Sequence, residues 1–355
     1  MKERKKLRIG ITHGDINGIG CEVIMKTLSD SRILELFTPV VYSSPKVIAY
    51  YRKALSLNNF NTYSARSADD AHDERINVVN CMNDEVRVEI GKSTPQGGEA
   101  SLLSLKAAIA EIKNGSLDAL VTAPINKYNI QSDQFKFPGH TEYLQSEFGN
   151  EKAMMLMVSG SLRMGVLTGH IPLTEVPALV TKDKIAATLR LINRTMLEDF
   201  NINRPRIAVL SLNPHAGENG LLGGEEQSAI IPAIEKVKND GILAFGPFPS
   251  DGFFGSDSYR KFDVVLAMYH DQGMTAFKTF CFDNGVNYTA GLPIVRTSPA
   301  HGTAYDLVGT DTASPESFRQ ALYLACDVVN NRKQYNTLKA NAMKDVEVKS
   351  NSSDE

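Results

Sequence analysis

Three histidines recur in one local context. His170 ends Val166-Leu167-Thr168-Gly169-His170, His215 ends Val209-Leu210-Ser211-Leu212-Asn213-Pro214-His215, and His270 ends Val264-Val265-Leu266-Ala267-Met268-Tyr269-His270. If the apolar runs are strands of an open α/β sheet, each imidazole arrives just past a carboxyl end, where such sheets bind ligands. Three neutral imidazoles can share one divalent ion and leave positions open for substrate or water. Zinc, cobalt, manganese, nickel and magnesium are all candidates, because availability selects among them as much as affinity does. The wide spacing suits ligands from separate strand–helix units and not a zinc knuckle. Taken singly, each histidine is more readily a structural residue than a ligand; the repeated placement is what points to a joint site.

Acidic residues accompany these histidines. Asp271 follows His270, and Asp251 lies in the turn-like Pro249-Ser250-Asp251-Gly252-Phe253. Either carboxylate could orient an imidazole, ligate a metal or act as general base, and either could equally cap a turn. A further cluster reads as an anion site. Pro138-Gly139-His140-Thr141-Glu142 precedes a helix beginning near Tyr143 and so offers backbone N–H groups and a hydroxyl at a helix N-terminus. Lys278, Asn287 and Arg296 fall in the Gly- and Pro-rich stretch after the third histidine and could supply more donors, although a lysine or arginine is more often a solvated surface charge; residues 285–293 read as a shaped ligand loop.

Two other local matches fail on spacing. Gly91-Lys92-Ser93 resembles the end of a phosphate-binding P-loop, but Val86 stands where its first glycine belongs. The run from Gly14 to Gly20 is not Gly-x-Gly-x-x-Gly, so the usual dinucleotide fingerprint is absent.

The elements that must carry these residues alternate. Apolar runs at 7–12, 40–42, 76–79, 119–122, 163–167, 206–212 and 263–268 read as strands. Residues 22–28, 99–113, 141–148, 182–200 and 225–238 repeat apolar positions near every 3.6 residues and read as helices. That alternation predicts an α/β fold with a mostly parallel sheet. A chain of 355 residues commonly splits into about two domains, with a ligand cleft between them. With 38 Lys plus Arg against 41 Asp plus Glu, the net charge is −3, which argues against a nucleic-acid or acidic-membrane partner. Cys21, Cys81, Cys281 and Cys326 form no Cys-x-x-Cys pair and are expected to be reduced and structural. The basic start lacks the apolar stretch of a signal peptide, and no run of ~20 apolar residues suggests a membrane span, so a cytoplasmic location is expected. Residues 344–355 are polar and read as a frayed tail.

Taken together, Gly14-Asp15 through Gly18-Ile19-Gly20, Thr122-Ala123-Pro124-Ile125-Asn126-Lys127, Phe137-Pro138-Gly139-His140-Thr141-Glu142, the three histidine segments and Arg296-Thr297-Ser298-Pro299-Ala300-His301-Gly302-Thr303-Ala304 resemble the 4-hydroxythreonine-4-phosphate dehydrogenase family of vitamin B6 biosynthesis. The resemblance implies a two-domain fold like that of isocitrate and isopropylmalate dehydrogenases. The outer domain would comprise residues 1–132 and 296–343, and the second domain residues 133–295. It further implies a homodimer with the active site at the subunit interface. His170, His215 and His270 would then bind the divalent metal from both subunits, and His140, Thr141, Lys278, Asn287 and Arg296 would contact substrate. Ser298, His301, Gly302, Thr303 and Ala304 would belong to the loop that cups the adenine side of NAD or NADP. The chain departs from the family pattern at Ile16 and Cys21, where prolines are usual, and at Gly252, where threonine is common; it is also extended around residues 56–73.

The activity so implied is oxidation of 4-phosphooxy-L-threonine to a 3-oxo acid that decarboxylates, with Asp251 or Asp271 as candidate base. One rival is a sister dehydrogenase acting on 4-phosphothreonate or 4-phosphoerythronate. Others are a metal-dependent hydrolase or aldolase that uses the histidines without a nicotinamide, and a non-catalytic phosphate-ligand-binding protein.

Overall fold

The computed structural model describes residues 6–82, 86–149 and 153–342. The 344–355 tail lies outside the described residues. Among the described residues twelve strands form one sheet: β1 (Leu7–Thr12), β2 (Phe37–Ser43), β3 (Thr62–Ala65), β4 (Ile76–Asn80), β5 (Ala119–Thr122), β6 (Met154–Ser159), β7 (Leu162–Thr168), β8 (Arg206–Leu210), β9 (Leu243–Phe248), β10 (Val264–Tyr269), β11 (Val286–Ala290) and β12 (Val295–Pro299). Their order is β3-β4-β2-β1-β5-β12-β11-β6-β7-β10-β8-β9. Pairing is parallel from β3 to β12 and again from β7 to β9; only the central pairs β12–β11, β11–β6 and β6–β7 are antiparallel. The two parallel halves therefore run in opposite directions, joined through a reversed centre.

All seven expected strands are present, because each is an apolar run buried on both faces, as strands of a parallel sheet must be. The expected ligand loop at 285–293 is instead the central strand β11. Tyr288, Thr289 and Ala290 are fully buried, and this aromatic and β-branched composition favours a pleated ladder over a loop. Lys278 belongs to the helix His270–Cys281, not to a Gly- and Pro-rich stretch, and Asp251 to the short helix Ser250–Gly255. The helix expected at 225–238 begins as a π-helical turn, Glu226–Ile230, before the α-helix Ile231–Asn239. The extension at 56–73 contributes the edge strand β3.

Helices cover both faces of the sheet. Thr94 and Thr181 accept hydrogen bonds from the amides of Gly97 and Lys184, capping the helices Pro95–Lys113 and Lys182–Glu198 at about 1 kcal/mol each. Ile185, Leu189, Ile192 and Met196 form the buried stripe of the second of these helices, each contributing roughly 1.5–3 kcal/mol on burial. The long helix Glu316–Ala340 lays Phe318, Leu322, Ala325 and Val329 into the same core. A polar staple ties it to the sheet: the Tyr288 hydroxyl and the Arg332 Nε both donate to Asp199, each at 2.6 Å.

Candidate functional site

A cavity of about 1060 Å3 lies over the sheet centre, where strand direction reverses. Of the residues singled out by sequence, His140, Thr141, His170, Asn287, Arg296, Ser298, His301 and Gly302 line it. His215, Asp251, His270, Asp271, Lys278, Thr303 and Ala304 do not line the cavity of a single chain.

Arg296 projects from β12 and is only 2% exposed. Its Nε and Nη2 donate to Thr122 Oγ1 on β5 at 3.1 and 2.6 Å, and its Nη1 donates to Thr289 Oγ1 on β11 at 3.0 Å. Burial lowers its pKa to about 10, so the guanidinium stays charged at neutral pH. Among the described residues no carboxylate lies within ion-pair distance of it; Glu142, on the same cavity wall, acts on it only through its field. A buried cation without an anion is costly unless a ligand supplies one.

His140 opens the helix His140–Phe148. Burial first, then the nearby Arg296 and Lys127, holds its imidazole well below the ordinary value, so the ring is neutral. Its Nε2 is buried without a partner, as are Asn287 Oδ1 and His301 Nε2. The Nδ1–H of His301 donates to the carbonyl of Gly302 at 3.0 Å, which leaves Nε2 as an acceptor. Unpartnered polar atoms are rare in native interiors, and in a cavity wall they fit a ligand rich in hydroxyl and amide groups, as a dinucleotide is.

His170, His270 and His215 follow the carboxyl ends of β7, β10 and β8, three strands adjacent in that order. The rings of His170 and His270 lie 5.2 Å apart between centroids. Burial lowers the pKa of His170, helped by Lys127 and His270, which keeps the ring neutral. Nδ1–H of His270 donates to Asp271 Oδ1 at 2.7 Å, freeing Nε2 as a lone-pair donor. Among the described residues of one chain, no three His, Cys, Asp or Glu side chains gather as a metal site. One chain thus supplies a pair of imidazoles whose chemistry fits a divalent ion, with a further donor to come from outside the pair.

His215 opens a left-handed turn: His215, Ala216, Gly217, Glu218 and Asn219 have φ of 52, 52, 73, 41 and 55°. Each non-glycine residue there costs about 1 kcal/mol or more. The buried Glu226 holds the turn. Its Oε1 accepts from the amides of Leu212 and Asn213 at 2.9 and 2.8 Å, and its Oε2 from Asn213 Nδ2 at 3.0 Å. A Cβ on Gly217 would come within 2.5 Å of that Oε2, so only glycine fits.

Thr303 and Ala304 are tied to the first loop. The Ile19 amide donates to the Thr303 carbonyl at 2.9 Å, and a Cβ on Gly18 would lie 2.8 Å from that oxygen. Asp15, fully buried, accepts from the Tyr305 hydroxyl at 2.7 Å and from Asn129 Nδ2 at 2.8 Å. Ile16 and Cys21, the departures from proline, pack in the core instead of facing the cavity.

Sequence reasoning gave no role to several cavity residues. Lys184, Thr188, Leu191 and Arg194 form one face of the helix Lys182–Glu198; their helical spacing is visible in the sequence, but not which cavity they face. Thr122, Lys127 and Glu142 stood inside quoted motifs without a role of their own, and Thr289 lay in the stretch read as a ligand loop.

Comparison with known proteins supplies a family. Residues 35–325 match the family described as pyridoxal phosphate biosynthetic protein PdxA. The chain is 52% identical over 344 residues to a 4-hydroxythreonine-4-phosphate dehydrogenase of Bacteroides thetaiotaomicron, covering 96% of this chain and 94% of that protein. To the enzyme of that name from Sulfurihydrogenibium sp. it is 39% identical, covering 90% of this chain and 97% of that protein. Its fold matches the crystal structure of 4-hydroxythreonine-4-phosphate dehydrogenase from Klebsiella pneumoniae, with TM-score 0.79 and 31% identity over 92% of this chain and 99% of that one.

Proposed function

The chain belongs to the PdxA family of pyridoxal phosphate biosynthetic proteins, and from that premise we propose that it is an oxidoreductase acting on 4-phosphooxy-L-threonine. The product is 2-amino-3-oxo-4-phosphooxybutanoate, which loses carbon dioxide to give 3-amino-2-oxopropyl phosphate. NAD or NADP accepts the hydride. The observation that carries this reading is Arg296, a buried cation with no carboxylate partner among the described residues, in the same cavity as His170. It offers an anionic substrate group a charged anchor close to a metal-ligating imidazole.

In this reading the substrate phosphate and carboxylate engage Arg296, Lys278, Asn287, Thr141 and the neutral His140, and Ser298, His301, Gly302, Thr303 and Ala304 hold the cofactor. Fixing the reacting carbon beside the nicotinamide can supply ~7–11 kcal/mol of barrier reduction. His170, His215 and His270 would hold one divalent ion, whose charge eases loss of the alcohol proton and steadies the electrons left by decarboxylation. Asp251 is the candidate base, and Asp271 orients His270. Because His215, Asp251 and Lys278 lie outside the cavity of one chain, whereas His270 joins it through its ring contact with His170, we assign the first three to the site through a homodimer whose second copy contributes them.

The test is direct. Purified protein with a divalent ion and NAD is given 4-phosphooxy-L-threonine, 4-phosphothreonate and 4-phosphoerythronate in parallel, with NADH and carbon dioxide followed together. Turnover preferring the amino acid supports the proposal; preference for either sugar acid assigns the sister activity, and product without nicotinamide reduction assigns a hydrolase or aldolase. Mixing inactive His170→Ala and His215→Ala proteins should restore activity if the two histidines come from different subunits, and no recovery would overturn the shared site.

A further inference from the structure

We propose that Thr122 and Thr289 are positioning residues, two neutral hydroxyls that fix the Arg296 guanidinium in the cavity wall while leaving its charge free for an anionic ligand. The geometry carries this. β12 lies between β5 and β11. In the antiparallel β11–β12 ladder Tyr288 faces Thr297, so the next pair sets Thr289 directly across from Arg296. Thr122 sits at the end of β5, on the other side. The guanidinium is thereby gripped from both neighbouring strands by contacts of 2.6 to 3.1 Å.

The choice of partner matters as much as its position. A carboxylate at either threonine would satisfy the same N–H groups, but it would also cancel the charge and compete with any incoming anion. A hydroxyl accepts the hydrogen bond and cancels nothing. Arg296 has five N–H donors, of which three are engaged, one on each nitrogen. Two remain, one on each Nη, for a phosphate or carboxylate ligand. Burial, which depresses the arginine pKa, agrees with a cation waiting for its counter-ion.

That the anion is a group of the substrate rests on the function proposed above; the positioning role does not, so inorganic phosphate serves as probe. Calorimetry with phosphate on the full-length wild type, Thr122→Val, Thr122→Ser, Thr289→Val, Thr289→Ser and Thr289→Asp separates the possibilities. The valine variants are expected to bind phosphate about tenfold or more weakly, the serine variants to recover to within a few-fold, and Thr289→Asp to lose binding although it can still accept the hydrogen bond. With turnover of the phosphorylated substrate, KM should rise by the same factor while kcat changes little. Valine variants that bind phosphate like the wild type, serine variants as impaired as valine, or a wild type that binds no phosphate would each overturn the proposal. If the phosphate pattern holds and no phosphorylated hydroxy acid is oxidised, the positioning role stands and the proposed activity falls.

Discussion

His170 and His270 face each other with ring centroids 5.2 Å apart and planes inclined by 41°, at the ends of the neighbouring parallel strands β7 and β10. Asp271 holds the second ring through Nδ1, so replacing it with asparagine removes an orienting charge without touching either ring. Asp271→Asn should weaken divalent-ion affinity about 10–100-fold, and His170→Ala should abolish stoichiometric binding while the far-ultraviolet spectrum is retained. Calorimetry with zinc or manganese reads both; unaltered affinity in the two variants would remove the ion from this pair.

The Tyr305 hydroxyl donates to Asp15 and so links the candidate cofactor loop to the first loop. Tyr305→Phe should raise the dissociation constant for NADH by about fivefold, the worth of roughly 1 kcal/mol, with little change in phosphate affinity. Fluorescence titration of NADH decides it, and an unchanged constant would mean that this loop does not bear on the nicotinamide cofactor.

Glu226 restrains the turn that presents His215. Removing its carboxylate strands two buried amides and the Asn213 side chain, so Glu226→Ala should cost about 3 kcal/mol. The shift in urea midpoint measures this, and Glu226→Gln, which keeps an acceptor oxygen, should lose less.

His13 is fully buried, donates from Nδ1 to the Gly14 carbonyl at 2.7 Å and has its pKa lowered to about 4 by burial. Below about pH 6.5 the unfolded chain takes up a proton that the folded one refuses, so its contribution to stability is lost as pH falls from 6.5 towards 4, by about 3 kcal/mol in all. Urea midpoints across that window should fall more steeply for the wild type than for His13→Gln. Parallel curves would assign the acid sensitivity to other groups, His140 among them.

Much of the fold is legible in the sequence, and for local reasons. β1 and β5 are apolar runs bounded by charge or by turn residues, and they fall where periodicity puts them. β11 was hidden because Gly285 and Gly291-Leu292-Pro293 flank it, and only its two partners in the sheet make the short run between them a strand. β9 contains Gly246 and Pro247, tolerated because it is an edge strand. The helix His270–Cys281 was masked by Gly273, which is buried close to Met164 and Val166 and so serves packing. Arg296 shows the limit most clearly: an arginine reads as a surface charge until Thr289 from the neighbouring strand and Thr122, far away in sequence, are seen to hold it in the interior.

β12, the last strand along the chain, fills the middle of the sheet between β5 and β11. A nascent polypeptide that has emerged from the ribosome only as far as the helix His270–Cys281 therefore carries two partial sheets, with the bare flank of β5 on one and that of β6 on the other. Such unpaired flanks invite association with other chains. Synthesis must run past Pro299 before the halves can zip together, which makes the interval before β12 emerges the one in which a chaperone would matter most to this protein.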